Sequence, residues 1–133
     1  LDVVCLAGDG DFLMTAQEMA TAVAYGAKRL VSIVVDNGSY GTIRMHQERE
    51  YPGRVSGSDL RNPDLAALAR AFGWWAADRV DKTADFEPAF VAALECARPA
   101  LIHVRLATDV ITSRTTLTAI RRAAQARLAR PSR

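Results

Sequence analysis

Residues 3–37 of the chain read VVCLAGDGDFLMTAQEMATAVAYGAKRLVSIVVDN, a pattern of strand, Gly-Asp-Gly turn, helix and second strand. The apolar run at residues 2–7 is typical of a strand that is covered on both faces, and residues 30–35 form the second strand. In a right-handed β-α-β unit the two strands are parallel, and their carboxyl ends open on one edge of the sheet. Asp9 and Asn37 come just after those ends, so we expect their side chains to face each other there.

The first helix is expected to begin at a capping box, with Thr15 as N-cap and Glu18 as the third helical residue. Apolar side chains at helical spacing then form one stripe that we expect to pack against the sheet, and Gly26 ends the helix. The stripe contains Ala16, Met19, Ala20, Val23 and Ala24.

The rest of the chain continues the alternation of strands and helices. Residues 38–50 are polar and mixed, residues 39–45 predict the start of a short helix or an ordered active-site loop, and residues 51–62 predict a long loop. Asn62 is predicted to cap the next helix, with Pro63 in its first position. The later predicted elements are a strand at residues 74–80, a helix from Thr83 with Phe86, Phe90, Val91 and Leu94 on one face, a strand at 100–106, an irregular segment at 107–116 and a helix at 117–128. This alternation predicts an α/β fold, a parallel β-sheet flanked by helices.

Length and charge limit the class of protein. The 133 residues, half of them hydrophobic, predict one domain with a real core. A net charge of +2 gives no reason to expect nucleic-acid binding, and no apolar run is long enough to span a bilayer. With no signal-peptide pattern, we expect a cytoplasmic protein. Cys5 and Cys96 lack a CxxC partner and metal-ligand spacing, so we interpret them as buried free thiols.

The residues after the two strands form a set of hard oxygen ligands. A carboxylate, a side-chain amide oxygen and a backbone carbonyl suit Mg²⁺ or Ca²⁺, whereas zinc prefers nitrogen and sulfur. Gly8 and Gly10 leave the backbone bare for a phosphate group, and the start of the following helix offers N–H groups to an anion. The residues alone therefore predict a metal-bridged diphosphate at the carboxyl edge of the sheet.

Three other interpretations remain open. Gly-Asp-Gly is a common hairpin turn, although a hairpin needs a strand directly after it and the sequence predicts a helix. A Rossmann NAD-binding module would place an acidic residue at the end of the second strand, as Asp36 does, but its GxGxxG pattern needs a third glycine where Leu13 stands. A non-catalytic binding domain would tolerate the loss of metal binding.

Three motifs together resemble the GDG…NN signature of thiamine-diphosphate enzymes: GDGDF at residues 8–12, TAQEMATAVAYG at 15–26 and VVDNGSYGTIR at 34–44. Within that superfamily the chain is similar to the acetolactate-synthase-like group, also over residues 46–73. The resemblance implies a thiamine-diphosphate-binding fold truncated at its N-terminus, with residues 1–133 forming a single C-terminal (PP-type) domain. It implies a lyase or transferase that decarboxylates and ligates 2-oxo acids.

The family pattern also implies roles for individual residues. Mg²⁺ would be held by Asp9, by Asn37 and by the backbone carbonyl of Ser39. The residues that would contact thiamine diphosphate are Gly8, Gly10, Asp11, Phe12, Tyr40, Gly41, Thr42 and Ile43.

Three positions depart from the family pattern. Asp36 replaces the first Asn of the pair, and we expect it to point away from the metal or to pair with a cation. Asp11 stands where Ser or Ala is common, so we expect its backbone N–H to serve the diphosphate. Acetohydroxyacid synthases carry a Trp where this chain has His46, which leaves open a 2-oxo acid decarboxylase with a different acceptor. His46 is the candidate acid-base group, whereas His103 lies in a strand pattern and is interpreted as structural.

The resemblance also implies partners outside this chain. In the family, the glutamate that activates the cofactor belongs to a pyrimidine-binding domain, usually of a neighbouring subunit. We therefore expect a homodimer or homotetramer in the full enzyme, and we expect the 133 residues alone to be inactive.

Overall fold

Two compact units make up the chain in the computed structural model, which describes residues 2–129. The first contains Asn62–Leu106 and the described part of Leu1–Asp36, and the second contains Asn37–Arg61 and the described part of Ala107–Arg133. The elements in chain order are β1 (Val3–Gly8), α1 (Asp9–Met14), α2 (Glu18–Ala24), β2 (Leu30–Asp36), α3 (Gly41–Glu50), α4 (Leu65–Ala71), β3 (Trp75–Ala76), α5 (Thr83–Glu95), β4 (Ala100–Arg105), β5 (Val110–Thr112), β6 (Thr115–Thr116) and α6 (Leu117–Leu128). That residues 1–133 are one C-terminal domain stays a prediction.

A parallel sheet in the order β1-β2-β4-β3 forms the centre of the first unit. Side chains alternate between the faces of a strand. Val34 of β2 therefore packs with Met19 and Leu65 on one face, while Val31 packs with Ala89 on the other. The predicted α/β fold, a parallel sheet flanked by helices, is confirmed.

Strand β1 lies at one edge of this sheet and is exposed. Val3, Val4 and Leu6 keep 50%, 49% and 72% of their surface. The expectation of a strand covered on both faces is therefore wrong for the described residues; β1 is also an edge strand, paired in this sheet with β2. Cys5 is exposed and Cys96 is half-buried, so both are free thiols as predicted, but the prediction that they are buried is wrong.

The first helix begins earlier than predicted, and it is split. Helix α1 starts at Asp9, directly after β1, and Thr15 is its C-cap. Helix α2 has Gln17 as N-cap with no side-chain bond, so the predicted capping box is wrong. Within the predicted stripe Met19 is buried and Val23 is exposed. Ala22 also packs against the core cluster of Met19, and the Met19 carbonyl accepts a hydrogen bond from Trp74 Nε1. The predicted stop is confirmed, with Gly26 at φ +66°.

Two later elements also differ from prediction. The third strand shrinks to Trp75–Ala76 because the Trp74 side chain turns into the core, and Val80 forms an isolated bridge with Val104. Helix α5 buries Ala89 and Ala93 beside Phe86 and Phe90, while the predicted inner residues Val91 and Leu94 are 45% and 41% exposed.

The second unit is built around α3 and α6. The segment predicted as a short helix or ordered loop is the ten-residue helix α3. Helix α6 has the predicted bounds, and its N-cap Thr116 accepts the Ala119 N–H at 3.1 Å. The segment predicted as irregular contains the antiparallel pair β5 and β6. Within residues 2–129, no helix is both long and apolar enough to cross a membrane.

Candidate functional site

Two buried carboxylates lie at the carboxyl edge of the sheet in the first unit. Strands β1 and β2 end side by side, with Gly8 in register with Val35. Asp9 is the first residue of α1, directly after β1, and Asp36 is the last residue of β2. Each keeps only 3% of its surface. The predicted position of Asp9, at the end of the first strand, is therefore confirmed.

The amide of Asn62 lies between these two carboxylates. Its Nδ2 donates to Asp9 Oδ2 at 2.6 Å and to Asp36 Oδ1 at 2.9 Å. One amide nitrogen carries two N–H donors, so both bonds can form at once. Asn62 is not the helix cap that the sequence predicts, because Asp64 caps α4 by accepting the Ala67 N–H at 2.9 Å.

Strand β4 holds Asp36 through two cationic or ionisable side chains. Arg105 Nη1 donates to Asp36 Oδ1 at 2.7 Å, and His103 Nε2 lies 2.9 Å from Asp36 Oδ2. The expectation that Asp36 pairs with a cation is confirmed. His103 is buried inside β4 against Asp36, as expected of a structural histidine.

The surroundings of Asp9 favour its protonated form. Burial raises the pKa of Asp9 above its ordinary value, and the Asp36 carboxylate raises it further, while the Asn62 amide and the Gly10 N–H lower it. A divalent cation would reverse this balance, because an opposite charge favours an ionised carboxylate. A nearby positive charge would therefore favour the ionised form of Asp9.

In the second unit, Asn37 and Ser39 form a tight polar turn. The Ser39 N–H donates to Asn37 Oδ1 at 3.0 Å, and Thr108 Oγ1 donates to the Asn37 carbonyl at 2.7 Å. Ser39 also forms an antiparallel bridge with Asp59. The backbone bonds of that bridge belong to neighbouring residues, Tyr40 N–H to the Ser58 carbonyl and Leu60 N–H to the Gly38 carbonyl, each at 2.9 Å. The bridge therefore does not use the Ser39 carbonyl.

Gly41 follows this turn, and a side chain at this position would crowd the Asn37 amide. A Cβ on Gly41 would lie 2.9 Å from Asn37 Nδ2 and 3.3 Å from the side chain of Ile111. The first residue of α3 must therefore be glycine for the Asn37 amide to keep its place.

The other predicted contact residues lie in the two units as follows. In the first unit Gly10 is buried, Asp11 is exposed with its carboxylate beside Gly8, and Phe12 packs its ring against the core. In the second unit Tyr40 is the N-cap of α3, while Thr42 and Ile43 are exposed on its first turn. His46 is exposed on the same helix, with Nδ1 2.6 Å from Arg49 Nη2.

Each unit by itself carries oxygen donors of the kind that Mg²⁺ takes. Mg²⁺ takes hard oxygen ligands, fills its shell with water and phosphate oxygens, and needs only one or two carboxylates from the protein. Asp9 supplies a buried carboxylate, and an amide oxygen such as Asn37 Oδ1 has a second lone pair beside the one that accepts the Ser39 N–H. Among residues 2–129, no cluster of three or more His, Cys, Asp or Glu side chains could hold a metal.

A comparison with protein families gives a match over residues 1–104, to the model described as thiamine pyrophosphate enzyme, C-terminal TPP binding domain. The chain belongs to this family. The match includes β1 to β3 and all but the last residue of β4, with the GDG segment and the Asp36-Asn37 pair. The resemblance to thiamine-diphosphate enzymes inferred from the motifs is confirmed.

Several relatives of this thiamine pyrophosphate-binding domain are acetolactate synthases. It is 40% identical over 106 residues to the acetolactate synthase large subunit of Parasynechococcus marenigrum (strain WH8102), which covers 78% of this chain and 17% of that protein. It is 34% identical over 105 residues to the acetolactate synthase isozyme 2 large subunit of Escherichia coli (strain K12), covering 78% and 19%. The chain thus spans less than a fifth of the length of these curated relatives.

Solved structures of decarboxylases share the fold of this thiamine pyrophosphate-binding domain. Benzoylformate decarboxylase from Polynucleobacter necessarius superposes with a TM-score of 0.73 at 28% identity, covering 82% of this chain and 20% of that one. The thiamine diphosphate-dependent 4-hydroxybenzoylformate decarboxylase of Rhodococcus jostii RHA1 gives a TM-score of 0.74 at 31% identity, covering 81% and 20%.

Sequence reasoning missed Asn62 as a residue of this site. The Asn-Pro pair fits a helix start so well that the local pattern concealed its other use. Asp64, two residues later, is an equally good N-cap candidate for the same helix. This second candidate was the signal that Asn62 could form hydrogen bonds other than a helix cap.

Proposed function

We propose that this domain binds the diphosphate of thiamine diphosphate through Mg²⁺, as part of an acetolactate-synthase-like enzyme that decarboxylates and ligates 2-oxo acids. The observation that carries the proposal is the family match over residues 1–104, which includes both motif segments. The buried carboxylate of Asp9, directly after a parallel strand, supports it.

The family pattern suggests which residues would hold the ion and the cofactor. Asp9 would supply a carboxylate oxygen, Asn37 an amide oxygen and Ser39 a backbone carbonyl. The diphosphate would lie against the backbone of Gly8, Gly10, Asp11 and Phe12, and the thiazolium beside Tyr40, Gly41, Thr42 and Ile43. The bound cofactor supplies the carbanion and electron sink for the reaction, and the protein binds and orients it.

Loss of the Asp9 carboxylate should strongly weaken cofactor binding. In the protein that carries this chain, we expect Asp9→Ala to weaken thiamine diphosphate binding in the presence of Mg²⁺ by roughly 100-fold or more, because the ion loses its charged protein ligand. Isothermal titration calorimetry with Mg²⁺ and thiamine diphosphate measures this directly.

The matched control is Asp78→Ala, which removes a fully exposed carboxylate from the same unit. It should bind the cofactor like the unaltered protein. Thiamine diphosphate binding that ignores Asp9→Ala would contradict the proposed metal site, and tight NAD binding in its place would restore the dinucleotide alternative.

A 2-oxo acid decarboxylase is the second candidate. Two observations favour it: the similar solved structures are decarboxylases of aromatic 2-oxo acids, and His46 stands where acetohydroxyacid synthases carry Trp. His46 would then be the acid-base group on α3.

The ratio of substrate consumed to CO₂ released separates the two candidates. A carboligase that joins two molecules of one 2-oxo acid consumes two molecules for each CO₂, whereas a simple decarboxylase consumes one and releases an aldehyde. We expect the ratio of two with pyruvate, in keeping with the acetolactate synthase relatives. A ratio of one, or turnover of benzoylformate but not of pyruvate, would favour the decarboxylase.

The remaining parts of the enzyme are also part of the proposal. A pyrimidine-binding domain of a neighbouring subunit would supply the activating glutamate, in a homodimer or homotetramer. The 133 residues should therefore show no turnover by themselves. A cytoplasmic location stays a prediction.

A further inference from the structure

Asn62 links two parts of the first unit that are distant in sequence. It lies 53 residues after Asp9 and 26 residues after Asp36, and a single nitrogen of its side chain donates to both carboxylates. Asn62 precedes α4, whose N-cap is Asp64 and not Asn62.

Asp36, one of the two acceptors of Asn62, is held in place in the sheet. Asp36 is the last residue of β2, and it is held by Arg105 and His103 of the neighbouring strand β4. Asp36 cannot rotate without breaking these bonds, so the Asn62 amide has a fixed acceptor on one side. Its second N–H is then directed at Asp9.

We propose that Asn62 is a positioning residue for the metal, because its amide ties the Asp9 carboxylate to the anchored Asp36 and so fixes the direction of the Asp9 oxygens. This inference rests on the proposed function, since it assumes that Asp9 binds Mg²⁺. Asn62 does not touch the ion; it acts through Asp9.

The physical need for such a residue follows from the charges. When both are ionised, two buried carboxylates at neighbouring strand ends repel each other, and the Asn62 amide offsets this repulsion by donating to both. A metal ligand whose hydrogen-bond partner is lost has to be reoriented by the ion itself, which typically costs 10–100-fold in metal affinity.

The test is a titration of Mg²⁺ into the protein that carries this chain, at saturating thiamine diphosphate, followed by calorimetry. We expect the Kd of Mg²⁺ to rise roughly 10–100-fold in Asn62→Ala. The matched control is Asp64→Ala, which removes the helix cap two residues away. It should lower Tm by a few degrees while leaving the Kd of Mg²⁺ within about twofold.

Thermal unfolding without ligands shows whether each variant is folded. If Asn62→Ala does not unfold cooperatively, Asn62→Ser replaces it, and the same rise is expected because one hydroxyl donor cannot serve two carboxylates. A folded Asn62 variant with the Mg²⁺ affinity of the unaltered protein would overturn the inference. If Asp9→Ala also kept that affinity, the proposed metal site itself would fail; if Asp9→Ala alone lost it, only the role of Asn62 would fail.

Discussion

The side chain of Glu48 connects helices α3 and α6 of the second unit. Its carboxylate is fully buried in the second unit and accepts from Arg121 Nε at 2.8 Å and from the Gly53 N–H at 2.9 Å. Arg121 Nη2 bonds its other oxygen, and Arg44 Nε lies 3.4 Å away. The hydrogen bond from Arg121 lowers the pKa of Glu48 to about 2, although burial acts in the opposite direction. Glu48 is therefore a structural anion that joins α3 to α6.

Replacing Glu48 by glutamine should destabilise the protein in a pH-dependent way. At about pH 7 we expect Glu48→Gln to lower the free energy of unfolding by about 2 kcal/mol, the usual value of a charged hydrogen bond. The ionised carboxylate stabilises the folded state above the ordinary Glu pKa of 4.5, and this contribution is lost as pH falls toward about 2. Urea unfolding at about pH 7 and about pH 3 should therefore show a smaller difference at the acid end.

The neighbouring Glu50 provides the control for this prediction. It is 57% exposed on the same helix, with ion-pair distances of 3.7 Å and 4.0 Å. Glu50→Gln should leave the unfolding free energy nearly unchanged, since exposed pairs contribute little. If Glu48→Gln cost the same free energy at both pH values, the carboxylate charge would not be the cause.

The sequence predicted the positions of single residues best where a residue directly follows a strand. Asp9 lies at a strand end because the apolar runs and their stops are local signals. The partner of Asp9 was not predictable in this way, because Asn62 is 53 residues away and no periodicity links the two. The tie of Asp36 to Arg105 spans 69 residues, and only its chemical type, a cation, could be expected from the charge of Asp36.

Among the elements, α5 shows the limit of reading a helix face from large apolar residues. The sequence offers two stripes, one through Val91 and Leu94 and one through Ala89 and Ala93. The structure buries the alanines, because Phe86 and Phe90 stack with ring centroids 5.8 Å apart and the small residues beside them let the helix approach β4. Residue size favoured the first stripe, whereas close packing selected the second.

A pair of identical substitutions on α5 tests this packing. Ala93→Leu should lower the free energy of unfolding by about 1–3 kcal/mol, because it adds three carbon atoms at a site that is 3% exposed. Ala84→Leu makes the same change at an exposed position of the same helix and should stay within about 0.5 kcal/mol. Chemical denaturation measures both, and equal effects would contradict the observed orientation of α5.

Element ends were predicted less well than element types. The boundaries of α6 were predicted correctly because a polar cap and a basic amphipathic pattern coincide there. The start of the first helix was predicted wrongly. Thr15 and Glu18 fit a capping box, but the chain is already helical from Asp9. A cap pattern marks a place where a helix can begin, and the directly preceding strand decided the outcome here.

Viewed as a whole, the chain carries a family signature over residues 1–104 and spans less than a fifth of the length of its curated relatives. The type and order of its main strands and helices followed from the sequence, as did the cofactor class. The exposed surface of β1 did not follow from it, because an apolar run has the same pattern whether or not other protein covers it.

The exposed edge of β1 has a consequence for Asp9, the residue that directly follows this strand. Another extended segment can pair with the edge of a sheet through main-chain hydrogen bonds. Any segment that docked there would stiffen the strand that leads into Asp9. If Asp9 binds Mg²⁺ as proposed, the affinity for the ion would then depend on whether another segment is paired with β1.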